Sequence, residues 1–183
     1  GLSIEQLAAV EITSVSRRPE PLATAPAAIY VISAEDIRRS GAVNLPEALR
    51  LAPHLEVARM NGFAYTLTAR GFNSPESSNK LLVLVDGRSV YSPLASSVFW
   101  ENLDVPLADV ERIEVVSGPG GTLYGANAVN GVINIVTKNA NDTKGGLVTA
   151  DAGTTDAKLT ARYGFAPWDG GAVRIYGMSS HAD

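Results

Sequence analysis

Val110-Glu111-Arg112-Ile113-Glu114-Val115-Val116 runs through Ser117 into a glycine-rich turn, Gly118-Pro119-Gly120-Gly121, and the chain then reaches Gly131-Val132-Ile133-Asn134-Ile135-Val136-Thr137-Lys138. The first segment alternates apolar and charged residues, the period of a half-buried strand, and the second reads as another strand. The turn between them invites a phosphate-loop reading, but nothing matches G-x-G-x-x-G and no Gly-Lys-Ser/Thr follows. It is a tight structural turn. Ser117 is not in a nucleophile elbow either, because Val115 stands where the first glycine of G-x-S-x-G belongs.

Upstream, Ile29-Tyr30-Val31-Ile32 predicts a short buried strand, followed by a helix with Ser33 as N-cap, Glu35 and Asp36 in its first turn and Gly41 as its C′ residue. A second helix starts at Asn44, has Glu47 at the capping-box position and ends before Pro53. Leu55 and Val57 alternate against Glu56, and Asn61-Gly62 precedes the alternating run Tyr65, Leu67, Ala69, which predicts a hairpin. Leu81-Leu82-Val83-Leu84-Val85 is continuously apolar and so predicts a strand covered on both faces. Asp86-Gly87 turns it back into Arg88-Ser89-Val90-Tyr91. Short helices and strands in this order predict an α+β domain ending near Lys138, with a small mixed sheet. Residues 1–28, punctuated by Pro19, Pro21 and Pro26, read as a flexible lead.

Past Asn139-Ala140-Asn141-Asp142 the pattern changes. Residues 146–153, 157–165 and 172–179 alternate with a period of two, and in the middle run Ala157, Leu159, Ala161, Tyr163 and Phe165 oppose Asp156, Lys158, Thr160 and Arg162. Strands of about 9–11 residues with this dyad pattern are those of a membrane barrel, and an ordinary antiparallel sheet shares the alternation. A barrel needs at least about eight strands, so three read as the opening of something larger.

The remaining features narrow the function by exclusion. The 183 residues carry a formal net charge of −4, which gives no reason to expect a nucleic-acid partner. The absence of cysteine excludes a thiolate metal site and a cysteine nucleophile. The two histidines, His54 and His181, have no companion at metal-ligand spacing. The carboxylates sit at helix starts and turns, where they have local structural work. No run of about 18 apolar residues occurs, so no transmembrane helix is expected. Catalysis has no support, and no catalytic residue, metal site or resident cofactor is expected.

Taken together, Val110 to Pro119, Leu123-Tyr124-Gly125-Ala126-Asn127-Ala128 and Gly131 to Lys138 resemble the signature of TonB-dependent receptor plugs. Three further matches lie upstream in the family's order: Leu45-Pro46-Glu47-Ala48-Leu49, Arg70-Gly71-Phe72 and Leu84-Val85-Asp86-Gly87. Several ordered motifs together are specific where any one alone is weak. The resemblance covers residues 29–138, with 139–183 matching the first strands of the family's barrel.

This resemblance implies an outer-membrane barrel of about 22 strands whose lumen is filled by the plug, with the N-terminus in the periplasm. It implies energy-coupled uptake of a scarce nutrient, a ferric siderophore first, with cobalamin or another chelate as alternatives. The partners implied are the periplasmic domain of TonB, the chelate, the chain's own barrel and the outer membrane. Val10-Glu11-Ile12-Thr13-Ser14-Val15-Ser16 is similar to the TonB box, a segment that adds as a strand to TonB. Arg70 resembles a plug arginine that latches to barrel glutamates, and Ser117 stands where many relatives carry a second arginine, which implies a weaker tether. Ligand loops are implied at Arg59, Met60, Asn61 and Phe63, at Asn73 to Asn79, and at Tyr91, Phe99 and Trp100, whose rings suit an aromatic chelate. Packing of Phe99 and Trp100 against the barrel is the alternative for that third loop. The alternative function is a soluble periplasmic interaction module with a plug-like fold.

Overall fold

The computed structural model describes residues 11–12, 20–21, 28–61, 64–69, 81–92, 97–118, 128, 130–153 and 156–182. Strands β1 (Glu11–Ile12) and β2 (Glu20–Pro21) form a two-residue antiparallel pair. Strand β3 (Ala28–Ser33) leads directly into helix α1 (Ala34–Ser40), and helix α2 (Leu45–Leu49) follows. Ser33 caps α1 in a reciprocal capping box with Asp36, and Gly41 ends it at φ 71°, a left-handed conformation that glycine adopts without a steric cost. Asn44 caps α2 by accepting a hydrogen bond from the Glu47 amide at 3.0 Å.

Strands β4 (Leu55–Arg59) and β5 (Tyr65–Ala69) pair as an antiparallel hairpin. Its connection spans 60–64 and is not a two-residue Asn-Gly turn. The Met60 amide donates to the Ala64 carbonyl at 2.8 Å, and Asn61 works through its side chain, whose Oδ1 accepts from the Ala64 amide at 2.9 Å.

Strands β6 (Leu81–Val85), β7 (Arg88–Ser89), β8 (Val110–Ser117) and β9 (Gly131–Thr137) complete the central sheet, in the order β3-β8-β9-β6-β7. Only the β6–β9 pair is parallel, so the sheet is mixed. Both faces are covered: Leu81 and Val83 enter a large cluster with Ile32, Leu49, Leu67, Ile113 and Ile133, whereas Leu82 and Leu84 join Val116, Ala128 and Val132 on the other side. The chain is therefore α+β. Asp86 (φ 48°) and Gly87 (φ 77°) form the β6–β7 turn, and the Asp86 carboxylate also accepts from the Thr137 amide and hydroxyl at 2.8 and 2.9 Å. The strand expected to be buried at Ile29–Ile32 is instead the sheet's edge. It pairs with β8 alone, and within it only Ile32 is fully enclosed.

A 3₁₀ turn at Ala140–Thr143 carries the chain into a second sheet of three antiparallel strands, β10 (Gly145–Ala152), β11 (Asp156–Phe165) and β12 (Val173–Ala182). Register places Leu147, Thr149 and Asp151 opposite Arg162, Thr160 and Lys158, and these in turn opposite Tyr176, Met178 and Ser180. That row faces the first sheet. The opposite row, with Val148, Leu159, Tyr163 and Ile175, is bare. Among the described residues no helix is long and apolar enough to cross a membrane, a condition that does not bear on crossing by strands.

Candidate functional site: the exposed loops and the seam between the two sheets

The N-terminal segment is described only in part. Glu11 and Ile12 lie in β1, and Ile12 is completely buried. Val10, Thr13, Ser14, Val15 and Ser16 fall outside the described residues, as do Arg70, Gly62, Phe63 and the loop 73–79.

At the β4–β5 tip, Arg59 donates through Nε to the Asn61 carbonyl at 3.1 Å, and its guanidinium lies 5.9 Å from the Tyr65 ring centroid. Met60 projects outward, 56% exposed. The turn end of this hairpin is held to α2 by Tyr65, whose hydroxyl accepts from Asn44 Nδ2 at 3.0 Å and donates to Glu47 Oε1 at 3.3 Å. Burial is the first cause that raises the Tyr65 phenol above its ordinary range; the hydrogen bond from Asn44 opposes it, and the Glu47 charge adds to it.

The third expected loop is split by its own backbone. A 3₁₀ turn at Trp100–Asn102 turns Trp100 inward to 7% exposure, beside Leu67, Leu81 and Val83, while Phe99 stays 40% exposed. Tyr91 is half-buried next to the Ser92–Ser97 bridge. The hairpin tip and Phe99 thus lie at the surface with Tyr91 half-buried, while Trp100 packs in the core.

The seam between the two sheets contains a group that the sequence reading passed over. Asp109, the last residue of a 3₁₀ turn (Leu107–Asp109) just before β8, is 1% exposed, and its Oδ1 accepts a short hydrogen bond from Nη1 of Arg162 on β11. Nε of Arg174 on β12 stands 3.5 Å from Oδ2 of the same carboxylate, an atom with no hydrogen bond among the described residues. Arg174 also donates to the Lys138 carbonyl at 3.0 Å, while the Lys138 amide donates to the Asp109 carbonyl at 2.8 Å and its ammonium to the Ala108 carbonyl at 2.7 Å. The alternation of β11 had marked Arg162 as a member of a polar row. Its partner, 53 residues away, left no local signal.

Beside this cluster the seam opens into a cleft of about 760 Å³. Glu35, Arg38 and Lys138 line it from one side, and Asp151, Lys158 and Arg162 from the other. Apolar residues, Ile37, Val43, Leu107 and Leu147 among them, line the same cleft between these charged groups. Among the described residues no group of three or more His, Cys, Asp or Glu side chains is placed to hold a metal.

The family model for the TonB-dependent receptor plug domain matches residues 21–132. The vitamin B12 transporter BtuB of Vibrio vulnificus is 33% identical over 171 residues, which are 91% of this chain and 27% of that protein, so the chain spans about a quarter of the curated relatives it matches. Among solved structures, the ferric-catecholate import receptor Fiu of E. coli K12 superposes with a TM-score of 0.67 at 28% identity, covering 89% of this chain and 22% of that one. The alcaligin outer-membrane receptor FauA of Bordetella pertussis, at 20% identity, shares the fold with a TM-score of 0.74 over 94% of this chain and 29% of its own. These relatives are transporters and receptors by name, not enzymes. The chain belongs to the TonB-dependent receptor plug family.

Proposed function

We propose that this chain is the plug and the opening wall strands of an outer-membrane receptor that takes up a scarce metal chelate, a ferric siderophore in the first reading, with energy delivered by TonB. The observation that carries this reading is the two-faced sheet β10–β12. Its inner row carries the charged and hydroxyl side chains (Thr149, Asp151, Lys158, Thr160, Arg162 and Arg174) among Leu147, Tyr176 and Met178, while its outer row (Val148, Leu159, Tyr163, Ile175) is apolar and bare. A lipid-facing wall around a polar lumen has this arrangement. Tyr163 and Phe165 stack at 6.1 Å, and Trp168, three residues further along the chain, is exposed; a membrane interface collects such aromatic rings. A soluble periplasmic module would leave that apolar face in water.

In this reading residues 10–16 are the TonB box, Arg70 latches the plug, and Met60, Asn61, Tyr91 and Phe99 meet ligand from the plug side. Cobalamin is the second reading, favoured by the 33% identity to a vitamin B12 transporter. The test is uptake of radiolabelled ferric siderophores and labelled cobalamin by cells whose only receptor of this class contains this segment, with and without TonB. TonB-dependent accumulation of a ferric siderophore supports the first reading. Accumulation of cobalamin alone supports the second, and accumulation of neither overturns both.

A further inference from the structure

The geometry points to Asp109, Arg162 and Arg174 as a clasp that seats the first wall strands on the plug, with the plug supplying the carboxylate and the wall supplying the guanidiniums. The inference rests on reading β10–β12 as wall. The two arginines come from adjacent strands and from the row that faces the plug, Arg162 opposite Leu147 and Tyr176, Arg174 opposite Gly164. Their side chains are 10% and 14% exposed, and the carboxylate they share is 1% exposed. Three charges are taken out of water beside a cleft of about 760 Å³. Burying them costs several kcal/mol per ion, recovered only while all the partners stay in place, so this contact tolerates one relative placement of plug and wall and penalises the rest.

The chain-order relationship adds to this. All three residues lie between positions 109 and 174, so the clasp closes within the plug and the first strands after it and needs no later strand. Arg174 reaches across Gly164 and also binds the Lys138 carbonyl, which ties β12 to the end of β9, where the chain leaves the plug. The plug therefore carries the means to fix the register of β11 and β12 on its own surface, and the remainder of a wall would close around strands already seated.

The test is hydrogen–deuterium exchange on the full chain in detergent micelles. Asp109→Asn is expected to speed exchange at 160–165 and 173–177 about a hundredfold while the β4–β5 hairpin keeps its rates. In a cycle with Arg162→Gln and Arg174→Gln, the effects are expected to be strongly non-additive, since each substitution breaks the same unit. Should Asp109→Asn not fold, the two arginine variants carry the same site-specific readout. Unchanged rates in β11 and β12, equal acceleration in the hairpin, or simple additivity would each overturn the clasp. No transport is measured, so failure here leaves the receptor reading standing, and failure of the uptake assay leaves the exchange result standing.

Discussion

The backbone of Gly164 lies directly against the carbonyl of Thr143, so close that a Cβ at position 164 would collide with that oxygen and crowd the Lys144 Cα at 3.1 Å. Gly164 belongs to the inward row of β11, paired with Gly145 on one side and Arg174 on the other. The missing side chain lets the 3₁₀ turn at Ala140–Thr143 rest on β11. Gly164→Ala is therefore expected to cost about 1–3 kcal/mol, read as a lower denaturant midpoint. Gly146→Ala is the matched control, because its Cβ would meet only ordinary contact with the Tyr163 ring at 3.9 Å. Equal midpoints for the two variants would count against the close approach.

The cap of α1 gives a prediction in pH. The Ser33 hydroxyl donates to Asp36 Oδ2 at 2.6 Å and accepts from the Asp36 amide at 3.1 Å, and the Ser33 amide donates to the same carboxylate oxygen at 3.2 Å. The hydroxyl is the first cause holding the Asp36 carboxyl below the ordinary aspartate range, against a partial offset from burial. A carboxyl depressed by folding contributes stability that is present above its unfolded value and lost as pH falls through its folded value. Ser33→Ala should thus cost about 1 kcal/mol at neutral pH. The gap to wild type should narrow in acid below the ordinary aspartate range, as seen in paired thermal melts. A gap independent of pH would mean that the carboxylate takes no part in the cap.

The outer row of β10–β12 predicts a response to charge that depends on direction. Leu159 is 52% exposed on the bare face, and Lys158 next to it belongs to the row that faces the plug. In a bilayer, an arginine on a strand's lipid face costs about 2–4 kcal/mol near the midplane. Leu159→Arg should lower the fraction of receptor that inserts into lipid vesicles, and Lys158→Gln should leave it unchanged. Equal insertion by both would mean that the bare face does not meet lipid.

Local patterns were legible where the physics is local. The unbroken run Leu81–Val85 announced a strand covered on both faces, Asp86-Gly87 its turn, and the alternation of 156–165 a two-faced strand. The two helix caps were readable because a cap is a contact over three residues. What escaped depends on tertiary placement. Ile29–Ile32 looks buried by composition, but its position at the sheet edge is set by β8, some eighty residues on. Trp100 sits beside Phe99 in sequence, and only the 3₁₀ turn decides which ring enters the core. Asp109 read as one more turn carboxylate until β11 and β12 brought arginines to it.

Strand β1 is held in place mainly by one side chain. Ile12 is fully buried, although β1 holds β2 through only two residue pairs, Glu11 with Pro21 and Ile12 with Glu20. Backbone pairing that short is weak on its own, so side-chain burial, worth about 1.5–3 kcal/mol for isoleucine, holds the segment down. If residues 10–16 add as a strand to TonB, β1 must first part from β2, and loosening Ile12 and spoiling it for strand addition should have opposite effects. Ile12→Ala is expected to raise the affinity of ligand-free receptor for the TonB periplasmic domain by roughly tenfold, because less burial is given up on release. Ile12→Pro also loses the burial, but it removes an amide and restricts φ, so it should abolish TonB binding and uptake while chelate binding persists. Titration of purified receptor with the TonB domain, beside chelate binding to whole cells, reads both effects. Weaker TonB binding by Ile12→Ala would show that the buried side chain serves the docked strand and does not restrain the resting one.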